Sequence, residues 1–191
     1  MKTGGFTLVE LMVVLAIMSI MLLIAAPSMR DVIKNNRLLA ESYAIRATLN
    51  SARSEAMSRR MSTIVCESEN LTTCASSTNA WSKGYLAFVD ADGDGLPDAD
   101  EIFAKHLTEI PDISLSFRDF GGNARSSLRF SPRGDAIGNS GTATLCDDRG
   151  ATVAKALIVT SAGQIRSAID SDDSGKVDTV NASGGLLDVS C

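Results

Sequence analysis

Rings and basic charge are scarce in this chain. It holds one histidine in 191 residues, and Phe, Trp and Tyr together make up 5%. So few rings give no stacking platform of the kind single-stranded nucleic acids need. A net charge of −5 leaves no basic footprint over the whole chain, which argues against a dedicated nucleic-acid binder. The four cysteines, Cys66, Cys74, Cys146 and Cys191, form no CxxC pair. With His106 as the sole imidazole they do not make the short-spaced ligand set of a zinc site. His106 has no serine or cysteine nucleophile assigned to it and falls in a predicted strand, so it reads as structural. No catalytic site, required cofactor or small-molecule substrate is assigned, and the chain reads as a non-enzyme.

One apolar run stands out against this background. Hydrophobic residues are 45% of the chain, an ordinary share, but much of it is concentrated in residues 6–26. As a helix that run would be roughly 31 Å long, matching the hydrocarbon core of a bilayer. Glu10 interrupts it near its start, and a carboxylate in hydrocarbon costs a few kcal/mol unless it finds a partner. A secretory signal peptide is the competing reading, with Lys2 as its basic start and Ala25-Ala26 as a small-residue cleavage site. Glu10 and the length of the run fit that reading badly. Pro27, without a backbone donor, should kink or loosen the helix where the run ends.

An even cysteine count beyond a membrane segment points to disulfides in an oxidising compartment. Cys66 with Cys74 would close a local loop, and Cys146 with Cys191 would staple the C-terminus, at about 2–4 kcal/mol each. The sequence alone does not fix that connectivity.

Residues 28–61 contain no glycine or proline and continue the helix. Val32, Leu38, Leu39, Tyr43, Ile45, Leu49, Ala52, Ala56 and Met57 approximate its apolar stripe. Arg30, Lys34, Arg37, Arg46, Arg53, Arg59 and Arg60 read as one solvated face, paired with Asp31, Glu41 and Glu55, rather than as a nucleic-acid or lipid surface. After Ser62 the pattern changes to short β runs broken by turns, at 63–66, 84–89, 101–107, 113–117, 128–130, 142–146, 154–160 and 164–168. The predicted class is α+β: a long N-terminal helix packed on an antiparallel sheet or sandwich. The acidic, Ser/Gly-rich tail 170–191 reads as loop until Cys191 anchors it.

The segment Gly5-Phe6-Thr7-Leu8-Val9-Glu10, with Pro27 beyond it, resembles the start of type IV prepilins. The resemblance implies cleavage after Gly5 by a prepilin peptidase and methylation of the new Phe6 amine. It divides the chain into a leader (1–5), a membrane and filament-core helix (6–27), its amphipathic continuation (28–61) and a periplasmic β-rich domain (62–191). In this family the Phe6 amine pairs with Glu10 of a neighbouring subunit, which offsets the burial of that carboxylate and sets the axial register. Counting Lys2 against Arg30, Lys34 and Arg37 would place the C-terminus inside, opposite to the family's orientation; the motif and the cysteines outweigh the count.

Further segments narrow the resemblance. Ala52-Arg53-Ser54-Glu55-Ala56, Val65-Cys66, Gly84-Tyr85-Leu86-Ala87-Phe88-Val89-Asp90 and Phe130-Ser131-Pro132-Arg133-Gly134 are similar to the FimT/FimU/GspH group of minor pilins and pseudopilins. The implied role is to prime or join pilus assembly, alongside a major pilin, other minor pilins and an inner-membrane assembly platform. The alternatives are a type II secretion pseudopilin and a DNA-binding pilin for natural transformation. Composition and spacing do not separate them.

Two loops carry metal-ligating patterns. Asp90, Asp92, Asp94, Asp98 and Glu101, with Gly95 at position six, match the spacing of an EF-hand calcium loop. A strand precedes this loop where a helix should stand, and the favoured reading is an acidic hairpin tip. Asp170, Asp172, Ser174, Gly175 and Asp178 repeat part of the pattern without a twelfth-position acid. DNA-uptake members of the group carry a Gly-Arg-x-Arg loop; Gly163-Gln164-Ile165-Arg166 keeps only Arg166, which is favoured as a solvated residue.

Overall fold

The computed structural model describes residues 7–75, 80–108 and 112–191; the side chains of 23–28 also lie outside the description. The elements are α1 (Leu8–Arg59), β1 (Ser62–Glu67), β2 (Gly84–Asp90), β3 (Ile102–Leu107), β4 (Ser114–Asp119), β5 (Ser127–Phe130), β6 (Gly141–Cys146), β7 (Lys155–Val159), β8 (Ile165–Ser167), β9 (Asp178–Val180) and β10 (Leu186–Asp188). Two units divide the chain, Met1–Asn36 and Arg37–Cys191. The described part of the first is helix α1 alone. The second holds the rest of α1 and every strand. The class is α+β.

Two four-stranded antiparallel sheets form the second unit, in the orders β3-β2-β1-β5 and β4-β6-β7-β8, with β9 and β10 as a separate hairpin. Side chains alternate along strands, so each sheet presents one row inward. Val65, Tyr85, Ala87, Leu128 and Phe130 from the first sheet meet Leu115, Phe117, Ala143, Leu145, Leu157 and Val159 from the second in one cluster. The helix completes that cluster with Leu38, Ile45, Leu49, Ala52 and Ala56.

The buried helix positions are Leu38, Ser42, Ile45, Leu49, Ala52 and Ala56, in alternating steps of four and three residues. This seam is narrower than the stripe expected from hydrophobicity. Val32, Leu39, Tyr43 and Met57 are exposed, because the four-and-three spacing places them off the buried face whatever their hydrophobicity. The expected all-solvated cationic face is also corrected. Arg53 donates from Nε to the Gly134 carbonyl (2.9 Å) and from Nη2 to the Ala162 carbonyl (3.2 Å). Arg46 reaches Ser167 Oγ at 3.0 Å, and Glu41 pairs with His106 rather than with a helix cation. Arg59 does pair with Glu55, at 2.6 Å.

Strand β2 is buried along its whole length. Its outer row, Leu86 and Phe88, lies opposite Cys66 and Ile64, and packs with Cys74 and Ile102. The tail differs from the loop expected. Leu186 pairs with Val180 and Asp188 with Asp178, and Val177 and Val189 cover Ala154, Ala156 and Cys146. Three-residue strands of Asp, Thr and Leu give too short an alternation to be read in advance.

Glycine matters most where Gly163 (φ +72°) meets Gly134 (φ +80°): a Cβ on Gly163 would collide with the Gly134 carbonyl, one of the acceptors of Arg53. Gly163→Ala should therefore destabilise the domain by about 2 kcal/mol or more, checked by denaturant unfolding. Glu67 is buried. Its Oε2 accepts the Ala80 and Trp81 amides at 2.7 and 3.1 Å, while Oε1 has no partner. Burial pushes its carboxyl above the usual glutamate range. A raised folded-state value means stability falls as pH climbs from the ordinary glutamate range through the folded value. Glu67→Gln should flatten that fall in a pH series of thermal melts.

Candidate functional site

Helix α1 opens with a reciprocal cap. Thr7 Oγ1 accepts the Glu10 amide at 3.2 Å, and Glu10 Oε2 accepts the Thr7 amide at 3.3 Å. This is a capping box, Thr-x-x-Glu, which satisfies two amides the helix cannot. Sequence reasoning assigned Glu10 to subunit pairing and missed Thr7, although the spacing was there to be read. Glu10 thus has a local role as well as a charge to place.

Beyond the cap, the described side chains through residue 22 are all exposed, and nearly all are apolar, from Leu8 (74%) to Leu22 (68%). Burying a large aliphatic side chain is worth about 1.5–3 kcal/mol, so a surface of this extent calls for lipid or neighbouring protein. Among the described residues no helix is long and apolar enough to cross a membrane. The run expected to span, 6–26, extends past them. Gly5 and Phe6, the expected cleavage and methylation site, lie outside the described residues, as does the Pro27 side chain.

The first acidic loop brings the carboxylates of Asp90, Asp92 and Asp94 within 4.8 Å of one another. Asp90 Oδ1 accepts the Gly95 amide at 2.9 Å, and Arg129 Nη1 stands 2.9 Å from Asp90 Oδ2. A protein cation therefore already sits on the one buried acid of this loop. Glu101 turns to the backbone, accepting the Ala91 amide at 2.8 Å, and stands outside the cluster with Asp98. Partial desolvation, then the charges of Glu101, Asp92, Asp100 and Asp94, push the exposed Asp98 carboxyl upward. The second loop gathers Asp170, Asp172 and Asp178 within the same distance.

Arg166 is exposed on β8, opposite Ile158, and shares the wall of a shallow depression with Asp178. His106 Nε2 lies 2.9 Å from Glu41 Oε2, and its ring stacks on Tyr85 at 4.8 Å. Burial, then the Glu41 charge, raises the Tyr85 hydroxyl above the usual tyrosine range. Cys66 is joined to Cys74 and Cys146 to Cys191.

Residues 42–163 match the family described as type II transport protein GspH, well over half of the chain. The chain belongs to the GspH family. Residues 1–26 of this GspH-family protein match the prokaryotic N-terminal methylation motif. No curated protein matches its sequence. Its fold is similar to that of the type IV minor pilin FimU of Pseudomonas aeruginosa strain PAO1 in two crystal forms. One is 23% identical with a TM-score of 0.54, covering 70% of this chain and 90% of that one. The other is 20% identical with a TM-score of 0.52, covering 68% and 90%.

Within the GspH match, the segments 52–56 and 130–134 are brought together. Ala52 and Ala56 lie in the seam, Arg53 grips Gly134, and Thr63 Oγ1 donates to the Ala52 carbonyl at 2.7 Å. The loop 170–178 and the hairpin β9–β10 lie beyond the match. The Cys146–Cys191 bridge ties them back across a separation of 45 residues, against 8 for Cys66–Cys74. Loop-closure entropy grows with that separation. Cys146→Ser/Cys191→Ser should thus cost about 2–5 kcal/mol, more than the Cys66→Ser/Cys74→Ser pair, as read from denaturant midpoints.

Proposed function

We propose that this GspH-family protein is a minor type IV pilin that primes or joins pilus assembly. The reading rests on the exposed apolar surface from Leu8 to Leu22, broken by the single carboxylate of Glu10. Before assembly, the apolar segment 6–27 holds the chain in the inner membrane with the β-rich domain in the periplasm. Prepilin peptidase cuts after Gly5 and the Phe6 amine is methylated. On assembly, lipid is exchanged for the helices of the major pilin and other minor pilins, with the assembly platform driving the transfer.

The free amine at Phe6 and the carboxylate of Glu10 give the exchange its register. Between subunits, the pair neutralises two charges that an apolar core would otherwise leave unpaired. A subunit displaced along the axis leaves both unmatched.

A second reading, a pseudopilin of type II secretion, draws on the family description itself. The same cleavage, anchoring and packing would serve it, and the difference lies in which filament receives the subunit. Pili sheared from cells without the gene, beside a complemented strain, separate the two. Loss of surface pili with normal secretion supports the pilin; normal pili with a secretion defect supports the pseudopilin.

Glu10 has two roles to separate. Glutamine also serves at the third position of a capping box, so Glu10→Gln retains the cap and removes the charge. Both Glu10→Gln and Glu10→Ala should be processed normally and be depleted about tenfold or more from sheared filaments, as measured by immunoblot. Normal incorporation of Glu10→Gln, with loss of Glu10→Ala, would assign Glu10 to the cap alone.

A further inference from the structure

Loop 170–178 contains a buried carboxylate oxygen for which the fold supplies no partner. Asp178, at the start of β9, is only 3% exposed. Its Oδ2 accepts the Ser171 amide at 2.7 Å, but its Oδ1 is buried without a hydrogen-bond partner. The Asp178 carboxylate lies within 4.8 Å of those of Asp170 and Asp172. Three like charges at such range repel, and a buried oxygen stripped of water makes the arrangement worse. A divalent cation would resolve both.

We propose that Asp170, Asp172 and Asp178 hold a calcium ion. The chemistry is that of a hard cation, which takes several oxygens, carboxylates above all. The backbone is already drawn round the cluster. The Gly175 amide donates to Asp170 Oδ2 at 2.8 Å and the Ser174 amide to Asp172 Oδ1 at 3.0 Å, aligning both carboxylates. Asp173 (φ 60°) and Gly175 (φ 84°) take left-handed conformations to make that turn.

The acidic loop 90–101 is the internal comparison. It shares the acids at the first, third and ninth positions, with Asp94 where the second loop has Ser174, and it makes the same amide contact, Gly95 to Asp90. There the buried oxygen, Asp90 Oδ2, also accepts no hydrogen bond, but Arg129 Nη1 stands 2.9 Å from it and supplies the opposite charge. In loop 170–178 the nearby cation Lys176 is directed to Asp188, at 3.2 Å, and leaves Asp178 Oδ1 unanswered. The protein thus pairs the buried acid of one loop with its own guanidinium and leaves the buried acid of the other to an ion from solution. The occupied loop would fix the start of the β9–β10 hairpin, next to the segment that Cys191 anchors.

The test uses the full chain in detergent, stripped with chelator and titrated with calcium chloride or magnesium chloride. Calorimetry should show one calcium site, with a rise of a few degrees in Tm at saturation and a much weaker response to magnesium. Asp172→Asn, at an exposed position, should fold normally by circular dichroism and bind calcium at least about tenfold more weakly. Asp178→Asn should abolish the Tm shift. Asp90→Asn should leave the calcium response intact. Absence of calcium-dependent heat in the wild-type chain overturns the proposal. So does an equal response to magnesium, or a response lost in Asp90→Asn and retained in Asp172→Asn.

Discussion

The seam of α1 from Leu38 to Ala56 is the contact on which the domain depends, because both sheets use it as a wall. The inner rows of β1, β2 and β5 and those of β4, β6 and β7 share one cluster with Ile45, Leu49, Ala52 and Ala56. Ala52 and Ala56 are fully buried in that cluster, and Arg53 between them reaches out to the Gly134 and Ala162 carbonyls. Packing and polar satisfaction are thereby met by the same turn of helix. Enlarging either alanine would disturb both.

The same helix carries a second, different pattern nearer its start. From Leu8 to Leu22 it is apolar on all sides, which no single groove could cover. Around Leu38 to Ala56 it is apolar on one seam only. The first pattern suits a surrounding of lipid or many helices, the second a fixed partner within the chain. The division of one helix between two such surroundings agrees with membership in the GspH family and with a methylation motif at residues 1–26.

Much of the fold was legible because β4 and β5 alternate and β1, β2 and β7 are short apolar runs, each bounded by turn residues. The hairpin β9–β10 was not, since its three-residue strands carry Asp, Thr and Leu in a Ser/Gly-rich setting. The helix seam was legible only in part. Ser42 and two alanines are buried while Tyr43 and Met57 are not, so position on the helix outranked hydrophobicity there. At the N-terminus Glu10 was legible but Thr7 was overlooked, because attention went to the charge rather than to the cap. Neither the Arg129–Asp90 pair nor the orphan oxygen of Asp178 could be read in advance, as both depend on contacts between distant segments.

The account requires that the apolar helix remain part of the working subunit instead of being removed with a signal peptide. Mass spectrometry of the chain's N-terminal peptide, taken from sheared filaments, tests this directly. The expected peptide begins at Phe6 and carries one methyl group on its amine. A mature chain beginning after Ala26, or one still starting at Met1 in the filament fraction, would contradict the account.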